Sequence, residues 1–392
     1  MRRAPAVAVG TGLTVLVSLF AVLAPSSRDR GARTRRGGPG ARVELAPGLG
    51  TSGFARALAT RSYVLPEDHG PHFDFQTEWW YYTGHLRAGE LRYGFQLTFF
   101  RRGLSPGPPP DEDGLATNQI YFAHLALTDP TAGRHVFAER WSRGAAGWAG
   151  ARASPFSVWL EDWRVEAVRD DGGRVRLFAQ EGPLILDLEL ESQKPLARHG
   201  DRGLSPKSEE PGNASHYIGY TRLHARGHLT TEGQTHAVSG EAWFDHEWST
   251  SALGPEAVGW DWFSLQLDDQ TELLYFQIRR EDGSVEPVSG GTLVRRDGRT
   301  VRVSAQEVSL TVLDRWTSPE TGTTYPARWR LALPKEDLDL VVEPLMPDQE
   351  MRTSFVYWEG AVRLSGTRNR RPIRGLGYVE LTGYAATMQG VF

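Results

Sequence analysis

The sequence predicts an all-β fold, two antiparallel β-barrels packed together. Three observations lead there. Short stretches alternate apolar and polar residues, tight-turn dipeptides separate them, and an aromatic strand unit recurs in the second half of the chain.

The alternation is clearest in Leu184-Ile185-Leu186-Asp187-Leu188-Glu189-Leu190-Glu191. Successive strand side chains point to opposite faces, so this pattern buries one face and wets the other. Leu338-Asp339-Leu340 and Val301-Arg302-Val303 behave alike. Asp171-Gly172, Asp282-Gly283 and Asp297-Gly298 sit between such runs and suit hairpins, because glycine accepts the positive φ that those turns need. No amphipathic helix longer than about three turns is legible.

The recurring unit begins at Glu78-Trp79-Trp80-Tyr81-Tyr82-Thr83-Gly84, turns near Gly89 and ends on Phe99-Phe100-Arg101-Arg102. Its counterpart begins at Gly259-Trp260-Asp261-Trp262-Phe263, turns near Asp268-Asp269 and ends on Gln277-Ile278-Arg279-Arg280. Two related β units follow, placed at residues 59–240 and 241–392. Two long polar stretches interrupt the strands. The proline-rich Gly103 to Gly114 is expected to be a surface loop, and Gln193 to Ser215 a functional or disordered one.

A length of 392 residues accommodates two domains. With 40% hydrophobic and 23% charged residues the chain is globular in composition. A net charge of -4 gives no footing for a nucleic-acid partner. The absence of cysteine excludes disulfides, thiolate metal sites and cysteine nucleophiles. Thirteen tryptophans are many, since each buried indole N–H needs an acceptor; they point to barrel cores and an aromatic-lined pocket.

Arg2 and Arg3 precede an uncharged stretch, Ala6 to Ala24, with an apolar centre. Residues 1–24 therefore read as a signal peptide or N-terminal anchor, and the protein is expected to be exported, periplasmic or extracellular, either released or tethered. Arg28, Arg30, Arg33, Arg35 and Arg36 follow and resist translocation. Residues 25–58 read as a flexible Gly/Arg/Pro linker. Gly48, Gly50 and Gly53 match GxGxxG, but no strand precedes them and no helix pattern follows, so no dinucleotide site is expected.

The densest chemistry lies in Trp243-Phe244-Asp245-His246-Glu247-Trp248 and Trp260-Asp261-Trp262. On extended strands Asp245 and Glu247 face one way, and His246 and Trp248 the other. Trp260 and Trp262 share a face opposite Asp261. An acid in an aromatic pocket has its pKa raised by desolvation, which suits proton donation, and indole faces stabilise a developing carbocation. The structural alternative is an Asp–His pair that ties a strand to a barrel end. Asp68-His69-Gly70-Pro71-His72-Phe73-Asp74 is a second polar cluster. Its spacing matches no zinc motif, so it reads as a loop at a barrel mouth and no metal or cofactor is expected. No strand–turn–helix nucleophile elbow and no P-loop is legible.

Several stretches carry a resemblance. Asp74 to Gly84, Gly94 to Arg101, Ala123 to Asp129, Ala242 to Ser249, Gly259 to Trp262, Tyr357-Trp-Glu-Gly360 and Gly377 to Tyr384 are similar to the AttH/hydroxyneurosporene-synthase family, over roughly residues 60–390. The resemblance implies two lipocalin-like (calycin) barrels. It also implies kinship with carotenoid 1,2-hydratases, which add water across a terminal double bond without a cofactor. An acid protonates the alkene, and aromatic residues shelter the cation. The corresponding catalytic candidates here are Asp245, His246 and Asp261, with substrate contacts from Glu78, Trp79, Trp80, Tyr81, Trp248, Trp260 and Trp262. His246 is expected to orient the acid, its ring held by a carboxylate such as Glu78 or Asp261. Two functions follow. One is hydration of an apolar isoprenoid- or lipid-like molecule; the other is non-catalytic carriage of such a ligand, serving an ABC-type membrane transporter.

Cell fractionation tests the export reading. The protein is expected outside the cytoplasmic membrane; soluble protein confined to the cytoplasm with Met1 retained would contradict it.

Overall fold

The computed structural model describes residues 51–392 except 111–113, 170, 251–252, 255 and 391–392. The signal or anchor segment and the linker up to residue 50 lie outside the described residues. Among the described residues helix is confined to three 3-10 turns, Glu67–His69, Ala305–Glu307 and Pro334–Glu336. Two antiparallel sheets make up the rest of the regular structure. The first has thirteen strands between Thr77 and Ser249, the second ten between Ala257 and Leu381.

The strands that build the site are β1 (Thr77–Ala88), β2 (Leu91–Gly103), β3 (Gln119–Asp129), β4 (Ala214–Thr231) and β5 (Gln234–Ser249) in the first sheet. In the second they are β6 (Ala257–Leu267), β7 (Glu272–Arg280), β8 (Val356–Arg368) and β9 (Arg371–Leu381). Each sheet curls around its own apolar core. Trp80, Tyr82, Phe95, Leu97, Leu188 and Phe244 meet in the first, and Phe263, Leu265, Trp329, Leu340 and Val379 in the second. The alternating run behaves as its pattern requires. Leu184, Leu186, Leu188 and Leu190 are buried, while Asp187 and Glu189 accept hydrogen bonds from Arg176 and Arg174 on the outer face.

The recurring aromatic unit is a hairpin in both sheets, β1–β2 and β6–β7. In each case the aromatic strand is also paired with a late strand of its own sheet, β1 with β5 and β6 with β9. Two expected boundaries shift. A division at residue 240 would cut β5, which pairs with β4 from Gln234 to Ser249 and with β1 from Ser239 to Ser249. The cluster Trp243–Trp248 closes the first barrel instead of opening the second, and the change of sheet comes after Ser249. The stretch read as linker to residue 58 ends on the barrel. Phe54 and Ala57 are buried, Ala55 N–H donates to the Asp74 carbonyl at 2.8 Å, and Ala57 packs with Phe75, Ile218 and Trp248.

The sheets meet face to face. Tyr81, Tyr217 and Trp243 of the first pack against Trp262, Phe276, Ala361 and Tyr378 of the second. At Gly94 the approach is so close that a Cβ would lie 2.5 Å from that of Ala361, so only glycine fits. A buried ion cluster staples the same interface. Glu272 of β7 accepts Lys194 Nζ and Arg222 Nε, both at 2.7 Å, and Arg222 also donates to the Leu267 carbonyl at 2.9 Å.

Removing one partner of a buried ion cluster strands the others. Glu272→Ala leaves Lys194 buried without its carboxylate and Arg222 with Glu241 alone, and is expected to lower stability by about 3–5 kcal/mol. Urea unfolding of the variant checks this; a loss below about 1 kcal/mol would show that the cluster does not hold the interface.

Candidate active site

The cavity lies where the two sheets face one another, and strand alternation decides what enters it. On the first sheet the cavity-facing residues form cross-strand rows, because opposed residues of an antiparallel pair share a face. Tyr81 opposes Asp245 and Thr98, and Trp79 opposes Glu247 and Phe100. Trp260, Trp262, Phe276 and Glu380 form the facing wall. The space amounts to about 1130 Å³ when the open solvent at its mouth is included. A few carboxyl groups in a largely aromatic chamber suit an apolar ligand that is oriented by polar contacts.

Each cavity carboxyl has a defined partner. Asp245 Oδ2 accepts from Tyr217 Oη at 2.5 Å, and Tyr217 in turn accepts from Trp262 Nε1 at 3.0 Å. Burial, then the charge of Asp245, pushes the Tyr217 hydroxyl well above its ordinary pKa, so it stays a donor. His199 Nε2 stands 3.5 Å from Asp245 Oδ1. Glu247 is held by Lys207 and Ser215. Glu380 accepts from the Trp260 indole, and opposite it on β8 stands Glu359, which accepts from Tyr81 Oη at 2.7 Å. Burial pushes Glu380 up to about 7 against the favourable Trp260 bond, with Glu247 and Asp245 adding to the rise. Burial and the neighbouring Glu380 push Glu359 well above the carboxylate range. Two carboxyls side by side in so apolar a site, Glu359 buried and Glu380 half-buried, do not both ionise.

The profile of the AttH-like family matches residues 56–384. The chain belongs to the AttH-like family. Among proteins of curated function none matches it. The crystal structure of a Nitrosomonas europaea protein given the name AttH is 34% identical, with a TM-score of 0.73, covering 84% of this chain and 100% of that one. Kievitone hydratase from Nectria haematococca has the same fold at 14% identity and a TM-score of 0.65, covering 87% and 99%. CghA is similar at 15% identity with a TM-score of 0.51, covering 85% and 96%. The lipocalin-like fold implied by the sequence resemblance is thereby established.

In this AttH-like chain the expected site residues separate by parity. Asp245, Trp79, Tyr81, Trp260 and Trp262 line the cavity. Asp261 does not, because its side chain leaves β6 on the opposite face. Arg279 Nε holds it at 2.9 Å, Gln277 Nε2 at 2.8 Å and Tyr384 Oη at 3.0 Å. His246, Glu78, Trp80 and Trp248 likewise face into the first barrel and are set apart from the cavity by the sheet itself. His246 Nε2 lies 2.8 Å from Glu78 Oε1, which also receives His72 Nδ1 at 2.7 Å, while Arg101 Nε reaches Glu78 Oε2 at 2.9 Å. Glu78, not Asp261, therefore holds the ring, and the ring does not reach the Asp245 side. Burial depresses the His246 pKa in spite of Glu78. Burial opposes charging His72 too, but Glu78 and Asp68 outweigh it and raise its pKa. The ligand atoms of His72, Glu78 and His246 all lie within 4.8 Å of one another, a spacing a metal ion could use, yet Arg101 already supplies a cation to that carboxylate.

Glu380, Glu359, Tyr217 and Lys207 were not picked out in the sequence. The available signal for the two acids was their place inside the apolar runs Tyr378-Val379-Glu380-Leu381 and Tyr357-Trp358-Glu359. The long polar stretch 193–215 is ordered on β4 through the short strands Ala197–Arg198 and Leu204–Pro206, and it delivers His199 and Lys207.

A carboxyl held protonated by burial costs stability once the unfolded chain can ionise. For Glu380 that cost is absent below its ordinary value of 4.5, accumulates as pH rises toward about 7 and is constant above. It amounts to on the order of 3 kcal/mol at most. Urea unfolding should show Glu380→Gln gaining on the parent protein across that window, with no difference in gain at lower pH. A gain independent of pH would contradict the assignment.

Proposed function

We propose that this AttH-like protein takes an unsaturated isoprenoid- or lipid-like molecule between its sheets and hydrates a C=C bond without a cofactor, with Glu380 as the acid. One observation carries the reading: a carboxyl with its pKa raised to about 7 faces a chamber walled by Trp79, Trp260 and Trp262. An acid poised near neutrality is protonated often enough to act and still transfers its proton. The Glu380 proton moves to one alkene carbon, and the π pair forms the new C–H bond. The positive charge then rests on the other carbon, where indole faces stabilise it. A water oxygen adds there and gives up a proton to Asp245, which Tyr217 Oη holds in place. Asp245 releases that proton to solvent and Glu380 takes one up, which restores both groups.

The same fold in kievitone hydratase, a protein named for hydration, is consistent with this chemistry. The apolar N-terminal segment supports action outside the cytoplasmic membrane. Without the proton transfer the same chamber would serve a carrier.

The co-purifying ligand, identified by mass spectrometry, provides the substrate. In ¹⁸O-labelled water the product should gain one labelled water, and Glu380→Gln should lower turnover by about 10²-fold or more while keeping ligand affinity. Undiminished turnover in that variant removes Glu380 from the chemistry. Tight binding with no labelled product in either protein establishes the carrier instead.

A further inference from the structure

A third cross-strand row continues the two that line the cavity. Thr77 opposes Ser249 on β5 and Arg102 on β2, and Ser249 opposes Ser215 on β4. Thr77 and Ser249 line the cavity. Arg102 follows Thr98 and Phe100 at the two-residue spacing of the cavity face, so its side chain leaves β2 on that side. Beyond the aromatic row the same sheet face thus carries hydroxyls and, next to the lining residue Thr77, the Arg102 guanidinium.

Among the described residues no carboxylate pairs with that guanidinium. Arg102 is only 9% exposed, and its Nε and Nη1 find no acceptor among the described residues. Its neighbour Arg101, on the opposite face, is bonded to Glu78, Gln119 and the carbonyls of His72 and Phe75. Lys207, a cation that lines the cavity, is committed to Glu247. A buried, unpaired guanidinium is costly to keep, and its planar fork fits a carboxylate or phosphate through two parallel hydrogen bonds.

We propose that Arg102 receives the anionic headgroup, a carboxylate or phosphate, of an amphipathic ligand whose apolar body lies along Trp79 and Trp260. This rests on the cavity being the ligand site, as proposed above, and narrows the ligand from an apolar molecule to an amphiphile carrying an anion at one end. The polar row at the rim takes the head, and the carboxyls Asp245 and Glu380 face the chain further in.

The full chain is titrated with two fluorescent probes, cis-parinaric acid and its methyl ester, which share a chain and differ in charge. The parent protein should bind the acid about tenfold more tightly than the ester. Arg102→Gln should reduce that preference to less than about twofold by weakening the acid alone, and Arg102→Lys should retain part of it. Arg102→Met should raise the melting temperature of the ligand-free protein, because an uncompensated buried charge is gone. Displacement by palmitate, hexadecyl phosphate and hexadecanol then separates carboxylate from phosphate from neutral heads. Equal binding of acid and ester by the parent protein, or equal weakening of both by Arg102→Gln, overturns the headgroup assignment and leaves the cavity reading standing. Binding of neither probe removes both.

Discussion

Everything in this structure depends on strands that are buried on both faces. The start of β1, the end of β5 and most of β6 have no solvent side. One face closes a barrel core and the other closes the seam between the sheets. Each residue therefore commits to one interior or the other, and its neighbour commits to the opposite one. Polar groups on such strands cannot fall back on water and must be satisfied where they point. Glu78, Arg101, His72 and His246 do this inside the first barrel. Asp245 with Tyr217, and Glu380 with Trp260, do it in the seam.

This arrangement explains which parts of the molecule were legible in the sequence. Leu184 to Glu191 announced itself because one face is wet and the other dry. The aromatic hairpins were legible because the same order of features occurs twice, and each copy proved to be paired in the same way. The parity of Asp245 against His246, and of Trp260 against Asp261, could also be read. What could not be read was which of two dry faces opens on a cavity. His246 was grouped with Asp245, and Asp261 with Trp260 and Trp262, because they are adjacent in sequence, and the fold separates each from its neighbours for the same reason. The boundary near residue 240 failed likewise, since a strand that closes one barrel carries the same aromatic density as a strand that opens the next.

The raised pKa of Glu380 was out of reach for a different cause. It depends on burial in the seam, and then on the charges of Glu247 and Asp245 from the other sheet. No local pattern contains such a meeting. The same seam carries the Glu272 ion cluster and the tight contact at Gly94, which hold the sheets together around groups that weaken them. A chamber with buried acids is a strained place to build, and its rigid surroundings offset that strain.

The pairing of β1 with β5 also bears on how the chain reaches this state. Glu78 and His246 are 168 residues apart yet hydrogen-bonded. While the chain is being made, β1 and β2 can form their hairpin early, but the other edge of β1 has no partner until β5 has emerged. Closure of so distant a pair is slow, because the loop entropy must be overcome before the contact stabilises anything. Until then Trp79, Trp80 and Tyr81 stand on an open strand edge, the kind of surface that recruits other chains. The first barrel is thus a late product of its own synthesis, and any factor that shields an aromatic edge during that interval would govern how much of the protein is made correctly.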